Sequence, residues 1–205
     1  MFWDRVAGVY DLFAYFYNKK VNEELCQKTV SLIEKDDKVL DCACGTGMIT
    51  RVIAPHCTEV TAADISEGML ERTKKKCTSY KNVHIQKADI LQLPFPDQSF
   101  DKVIAANVIH LLDEPERALK ELLRVCKEDG MIILPTYVNK KDDGDITVFS
   151  KTVGKAGADF KKEFTLSSYE AFLKEEGVEA EVTLIKGRVP CAFAVIRRNH
   201  ETQKL

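Results

Sequence analysis

The sequence has no apolar run of the roughly 18–20 residues that a helix needs to cross a bilayer, which argues against a membrane span. It has no internal repeat and no low-complexity tract. Its composition, 45% apolar and 30% charged, argues against a disordered chain, a collagen or a mucin-like stalk. Net charge is also scarce: 30 basic and 32 acidic side chains leave −2. A protein that holds nucleic acid on a broad basic face is therefore not expected, and no nucleic-acid partner is predicted. Histidine is sparse, with four residues dispersed at 56, 84, 110 and 200. The seven cysteines are odd in number and, apart from Cys42 and Cys44, scattered, unlike the framework of a small secreted scaffold. They read as reduced thiols. Cys42-x-Cys44 is half of a metal site without a second Cys/His pair, so no metal is predicted. The opening Met1-Phe-Trp-Asp-Arg-Val is too mixed for a secretion signal, and a cytoplasmic location is expected. A length of 205 residues suits one domain that buries its core without disulfide or metal.

What is present is an alternation of short apolar runs with helical periods. Residues 1–20 are rich in aromatics, and apolar positions 21, 25, 30, 32 and 33 follow a loose helical period. Lys38–Ala43 reads as a buried strand, followed by Gly45-Thr-Gly47 and a helix to about Ala54, stopped by Pro55. Glu59–Asp64 reads as a second strand, and Ser66 as the N-cap of a helix through about Cys77. Val83–Ala88 and Asp101–Asn107 are strands three and four. Asp113–Cys126 is a helix with Leu119, Leu122, Leu123 and Cys126 at 3-and-4 spacing, and Gly130 opens a fifth strand, Met131–Leu134.

This order predicts βαβ units, with a parallel sheet covered by helices on both faces. Val178–Lys186 and Cys191–Arg198 are joined by Gly187-Arg-Val-Pro190, too short for a parallel crossover, so the sheet ends in an antiparallel hairpin. The stretch 137–165, rich in Lys, Asp and Gly and without a clear period, reads as an insertion beside the ligand mouth. Its aromatics Tyr137, Phe149, Phe160 and Phe164 suit either a substrate pocket or a local core.

In an open α/β sheet, ligands lie beyond the carboxyl ends of the strands. The first such end carries Gly45 and Gly47, which permit a tight turn and close approach of a ligand to backbone. A dinucleotide fingerprint needs a third small residue at position 50, where Thr stands. Asp41 would repel a pyrophosphate and suits a ligand bearing a cation such as an ammonium. Asp64, 17 residues after Gly47, ends the second strand, where an acid can accept from both ribose hydroxyls. Asp89 follows the third strand and can accept from an adenine amino group. Each acid also has a plainer use: Asp41 in capping the turn, Asp64 in capping the Ser66 helix, Asp89 as a loop acid.

With these residues in place, the chain resembles a class I S-adenosylmethionine (SAM)-dependent methyltransferase, in the small-molecule group that includes the ubiquinone/menaquinone-biosynthesis enzymes. The resemblance rests on Trp3–Asp11, Val39–Gly47, Ala63–Ser66, Ala88-Asp89 with Leu93–Asp101, and Pro115 with Ala118–Gly130, in that order along about two-thirds of the chain. It implies a three-layer Rossmann-like sandwich with a mostly parallel seven-stranded sheet ending in the hairpin. Residues 1–35 would form a helical lid in a single domain.

It also implies methyl transfer from SAM to a small-molecule acceptor, giving S-adenosylhomocysteine (SAH). Asp41, Cys42, Ala43, Gly45 and Gly47 would hold the methionine end. Asp64 would bind the ribose, Ile65 and Met69 would pack on adenine, and Asp89 with the backbone of Ile90 would read the adenine edge. Asn107 would stand near the reacting methyl, and Tyr10 would close over the cofactor, or else belong to the core. The family usually has Gly where this chain has Ala43, a change that costs little provided φ stays negative. His110 is the candidate general base, with packing at the start of the 113–126 helix as its other reading. Arg72-Thr-Lys-Lys-Lys76 reads as a solvated helix face. An RNA or protein methyltransferase on the same fold and a non-catalytic SAM-binding module are the alternative functions.

Overall fold

A computed structural model describes residues 18–138 and 161–198. Tyr10, Phe149, Phe160 and most of the 137–165 stretch lie outside the described residues. The elements run α1 (18–30), β1 (Lys38–Cys42), α2 (Met48–Ile53), β2 (Glu59–Asp64), α3 (Glu67–Lys76), β3 (Val83–Lys87), β4 (Phe100–Ile104), α4 (Pro115–Val125), β5 (Cys126–Tyr137), α5 (Leu166–Glu175), β6 (Glu181–Ile185) and β7 (Cys191–Arg197). Short 3₁₀ turns occupy Ala54–His56 and Ile109–Leu111. The sheet order is β3-β2-β1-β4-β5-β7-β6. The first five strands pair in parallel, while β7 pairs antiparallel with both β5 and β6. The expected mostly parallel sheet with a terminal antiparallel hairpin is what forms.

Alternating side chains divide the central strands between two cores. Leu40, Val103, Ile132 and Ala194 face one side, where α4 contributes Leu119 and Leu122 and α5 contributes Tyr169 and Leu173. Val39, Ile104, Ile133 and Phe193 face the other, where α1 contributes Val21 and Leu25 and α2 contributes Ile49 and Ile53. Both faces are apolar because both are covered, as in other parallel sheets. Truncating a fully buried Leu122 to Ala would cost roughly 2–5 kcal/mol.

Several boundaries differ from the sequence expectation. Pro55 ends the α-helix at Ile53, but the chain winds on through the Ala54–His56 turn, which tolerates Pro at its start. The helix expected over 113–126 is Pro115–Val125, and β5 begins at Cys126 rather than after Gly130. A bulge between Phe100 and Lys102 lets β5 join early. Gly130 sits inside the strand because a Cβ there would lie 2.7 Å from Cys126 Sγ and 2.8 Å from the Asp101 carbonyl.

Tyr137 belongs to β5 rather than to an insertion, and its hydroxyl donates to Asn22 Oδ1 of α1. Phe164 packs with Tyr169 and Phe172 in the core. Helix α5, absent from the sequence reading, begins at a Thr165/Ser168 capping box. The first helix is pinned to the hairpin turn at the other end of the chain. Asn18 Nδ2 donates to the Val189 carbonyl at 2.9 Å, and the Val189 N–H donates to Asn18 Oδ1.

Candidate active site

The parallel strands β1 to β4 all end on one rim, so their carboxyl ends deliver the residues after Cys42, Asp64, Lys87 and Ile104 to a common edge. The turn after β1 is built first. The Cys44 N–H donates to the Ala63 carbonyl, and the Gly47 N–H donates to the Cys44 carbonyl, both at 3.0 Å. Gly45 and Gly47 sit at φ +55° and +77°. A Cβ on Gly47 would meet Thr73 Cγ2 at 2.8 Å, so close packing on α3 demands glycine there; one on Gly45 would project into open space.

Ala43 departs from its expectation. Its φ is +55°, not negative. The hydrogen bond that closes the turn on β2 forces the chain through the left-handed region, where a Cβ costs roughly 1–2 kcal/mol. Asn107 also sits at φ +55°, a conformation asparagine tolerates better, and its N–H donates to the Pro135 carbonyl at 2.8 Å.

A cavity of about 260 Å³ opens on this rim. Of the expected cofactor residues, Ala43, Gly45, Asp64, Ile65, Met69, Asp89, Ile90 and Asn107 line it together. Asp41 and Cys42, buried at the end of β1, and Gly47, at the close of the turn, do not. Ala88 and Leu91 beside Asp89, Ala106 and Val108 beside Asn107, and Leu111 with Leu112 complete the lining. The sequence reading missed these six apolar residues, although each lies at or shortly after the strand ends it did mark.

The acids are held in different ways. Asp64 Oδ2 accepts from the Gly45 N–H and Oδ1 from the Ser66 N–H, both at 2.9 Å. It thus ties the turn to the start of α3, where Ser66 caps the helix through the Met69 N–H. Asp89 is exposed and accepts from the Leu91 N–H at 2.9 Å. Asp41 is buried, and its Oδ2 accepts a 2.5 Å hydrogen bond from the Thr50 hydroxyl. Burial raises its pKa to about 7; the Thr50 hydrogen bonds oppose the rise, and the nearby charge of Asp64 adds to it. Thr50, noticed in the sequence only as a misfit to a dinucleotide fingerprint, is the support of Asp41.

His110 lies in the Ile109–Leu111 turn, 2% exposed, with Nδ1 2.9 Å from Thr136 Oγ1. Burial lowers its pKa to about 3, so the ring is neutral at ordinary pH. It is not among the residues lining the cavity. Cys42 and Cys44 are buried, and burial pushes both thiols well up, away from the thiolate form. Among the described residues there is no group of three or more His, Cys, Asp or Glu that could hold a metal ion.

Residues 40–134 match the family described as "Methyltransferase domain". The demethylmenaquinone methyltransferase of Clavibacter sepedonicus is 40% identical over 98 residues, which make up 48% of this chain and 40% of that protein. The chain thus spans less than half the length of this curated relative. Among solved structures, the DhpI–SAH complex superposes with a TM-score of 0.76 at 18% identity, covering 97% of this chain and 94% of that one. A SAM-dependent methyltransferase from Aquifex aeolicus gives 0.65 at 21% identity, covering 83% and 89%. These two likenesses concern the fold. Residues 40–134, a little under half of the chain, are thus similar to a methyltransferase domain, and a segment of similar length resembles part of a demethylmenaquinone methyltransferase.

Proposed function

We propose that this chain transfers the methyl group of SAM to a small organic acceptor and releases SAH. The observation that carries the reading is the rim cavity, in which Asp64 and Asp89 stand at the ends of adjacent strands among apolar side chains. When bound, SAM supplies an electrophilic methyl on a good leaving group, so the hard chemistry belongs to the cofactor.

The chain's own work is to bind, orient and exclude water. Gly45 leaves open space above the turn, which presents backbone rather than side chain to a ligand. Both oxygens of Asp64 accept backbone N–H groups beside the cavity, where a carboxylate suits the hydroxyls of a ribose diol. Ile65, Met69 and Ile90 offer apolar contact to a purine, and Asp89 offers an acceptor to its amino edge. Ile65 is among the few exposed large apolar side chains, at 37%, as suits a residue awaiting a ring. Asp41, buried near the end of β1, favours a cationic ligand end.

On the acceptor side, Val108, Leu111 and Leu112 make the lining apolar, which supports an acceptor with an apolar body. The name of the relative, demethylmenaquinone methyltransferase, supports the same choice. In this reading His110 braces the turn that carries Leu111 rather than taking a proton.

The test is calorimetry of the full chain with SAM and SAH, followed by SAH formation across a panel of quinols, phenols and amines. SAM binding with turnover of one small acceptor is expected. Binding without SAH formation across the panel would recast the protein as a binding module, and absence of binding would overturn the reading.

A further inference from the structure

The adenine wall of the cavity is the start of a loop that has little means of holding itself in place. Ala88 to Leu91 line the cavity, and the chain then runs through Gln92-Leu-Pro-Phe-Pro-Asp-Gln98 before β4. Pro94 and Pro96 lack an N–H, and Gln98 sits at φ +54°. Within the loop, the Leu91 N–H donates to Asp89 Oδ1, the Gln92 N–H to the Asp89 carbonyl and the Ser99 hydroxyl to the Pro96 carbonyl.

Most of the remaining hydrogen bonds to this loop come from α4, while Gln98 Nε2 donates to Glu128 of β5 and Phe95 packs edge-on against Phe100. Arg124 donates to the Leu93 carbonyl at 2.9 Å, to the Phe95 carbonyl at 2.7 Å and to Asp97 Oδ1 at 2.8 Å. Glu121, one helical turn earlier, grips the guanidinium through two 2.8 Å contacts and accepts from the Leu93 N–H at 2.7 Å. The Arg124 and Val125 carbonyls accept from the Gln98 and Ser99 N–H groups. A planar five-donor fork can serve two carbonyls and two carboxylates at once, and an ammonium cannot.

We propose that Arg124, oriented by Glu121, is a positioning residue for the cofactor's base. It fixes Leu93, and through Leu93 it sets where Asp89, Ile90 and Leu91 stand against the purine. The inference rests on the proposed SAM-binding reading. Leu93 is buried in the main core two residues beyond Leu91, so its backbone is the fixed end from which the wall is hung. Without the fork, the Leu93 and Phe95 carbonyls lose their side-chain donor, and the wall rests on the burial of Ile90 and Leu93, the Glu121 bond to the Leu93 N–H and its own short turn.

The experiment measures SAH and S-inosylhomocysteine affinity, whose ligands differ at the purine 6-position, for the full wild-type chain and for Arg124→Lys and Glu121→Gln. Thermal melting and amide exchange at Leu91 to Leu93 are followed in parallel. Wild type should prefer SAH. Both variants should lose that preference by about tenfold, equivalent to about 1.4 kcal/mol, with faster exchange at the wall. A preference for SAH that survives in folded variants, whatever happens to their melting temperature, would make Arg124 a stabilising residue only and overturn the inference. Equal wild-type affinity for the two ligands would also overturn it. Should Arg124→Lys not fold, Glu121→Gln alone decides. Failure of wild type to bind SAH at all would instead overturn the function proposed above, which keeps the two failures apart.

Discussion

The two rims of the sheet use the same residue type in opposite ways. At the amino ends of the strands, Asp37 lies 3.2 Å from Lys102, with both side chains nearly buried, and Asp101 lies 2.6 Å from Lys127 and accepts from the Lys38 N–H. Burial pushes the Asp101 carboxyl up, but these hydrogen bonds outweigh it and hold it below its ordinary value. At the carboxyl ends, Asp41, Asp64 and Asp89 are met instead by a hydroxyl and by backbone N–H groups. The first rim spends its acids on closing the fold. On the second, Asp64 and Asp89 face the cavity, while Asp41, buried and off the cavity lining, is pushed up rather than down. An aspartate is therefore a candidate for ligand binding when its partners satisfy it without neutralising it.

The largest effect should come from breaking the closed rim. Asp37→Ala leaves Lys102 without its carboxylate in a nearly buried position, and should destabilise the fold by roughly 3–5 kcal/mol. Denaturant titration checks this, and SAM affinity in the folded fraction should not move. The comparison breaks if affinity falls as far as stability.

On the open rim the order reverses. Asp64→Ala should weaken SAM binding by on the order of 1.5–3 kcal/mol in calorimetry, with the fold intact by circular dichroism. Unchanged affinity in a folded variant would place the ribose elsewhere.

Asp41→Asn sharpens the contrast through pH. The native Asp41 carboxyl keeps its proton up to about pH 7, while the unfolded one releases it near its ordinary value of 3.8. Between these values the native state binds more protons, so wild-type stability falls as pH rises. The ligand-free variant should lose this slope and be more stable than wild type near pH 7, while binding SAM more weakly. Parallel pH–stability curves for the two proteins would remove Asp41 from the comparison.

The smallest expected change is Ala43→Gly. Relief of the left-handed backbone should raise stability by about 0.5–1 kcal/mol, seen as a higher melting temperature without ligand.

The parallel strands were legible in the sequence because both faces are covered, so each strand is a short apolar run between turn residues. The hairpin was legible from the length of its connection alone. Helix α5 carries a good period at Leu166, Tyr169, Phe172 and Leu173 behind a Thr165 cap, but it follows directly on a Lys/Asp/Gly-rich stretch that masked its start. The early start of β5 depends on a register shift that sets residues 127–130 against Asp101 alone in β4, which no local pattern announces.

Within the site, the acids and glycines showed themselves by standing at strand ends. The handedness of Ala43 did not, because it is imposed by the bond from Cys44 to β2, a strand whose approach is tertiary. The burial of His110 against Thr136 has no signal in the sequence, because Thr136 belongs to a strand 26 residues later. The role of Arg124 depends on carbonyls about 30 residues earlier in the chain, and a carbonyl carries no sequence signature.

The placement of β7 between β5 and β6 bears on how the protein emerges from the ribosome. Until Cys191–Arg197 has been synthesised, the apolar run Met131–Leu134 of β5 has a bare edge, and α1 lacks the Val189 backbone that anchors Asn18. A nascent chain ending before Cys191 should therefore be sticky and prone to pair with other strands, with solubility arriving only when the final hairpin is made.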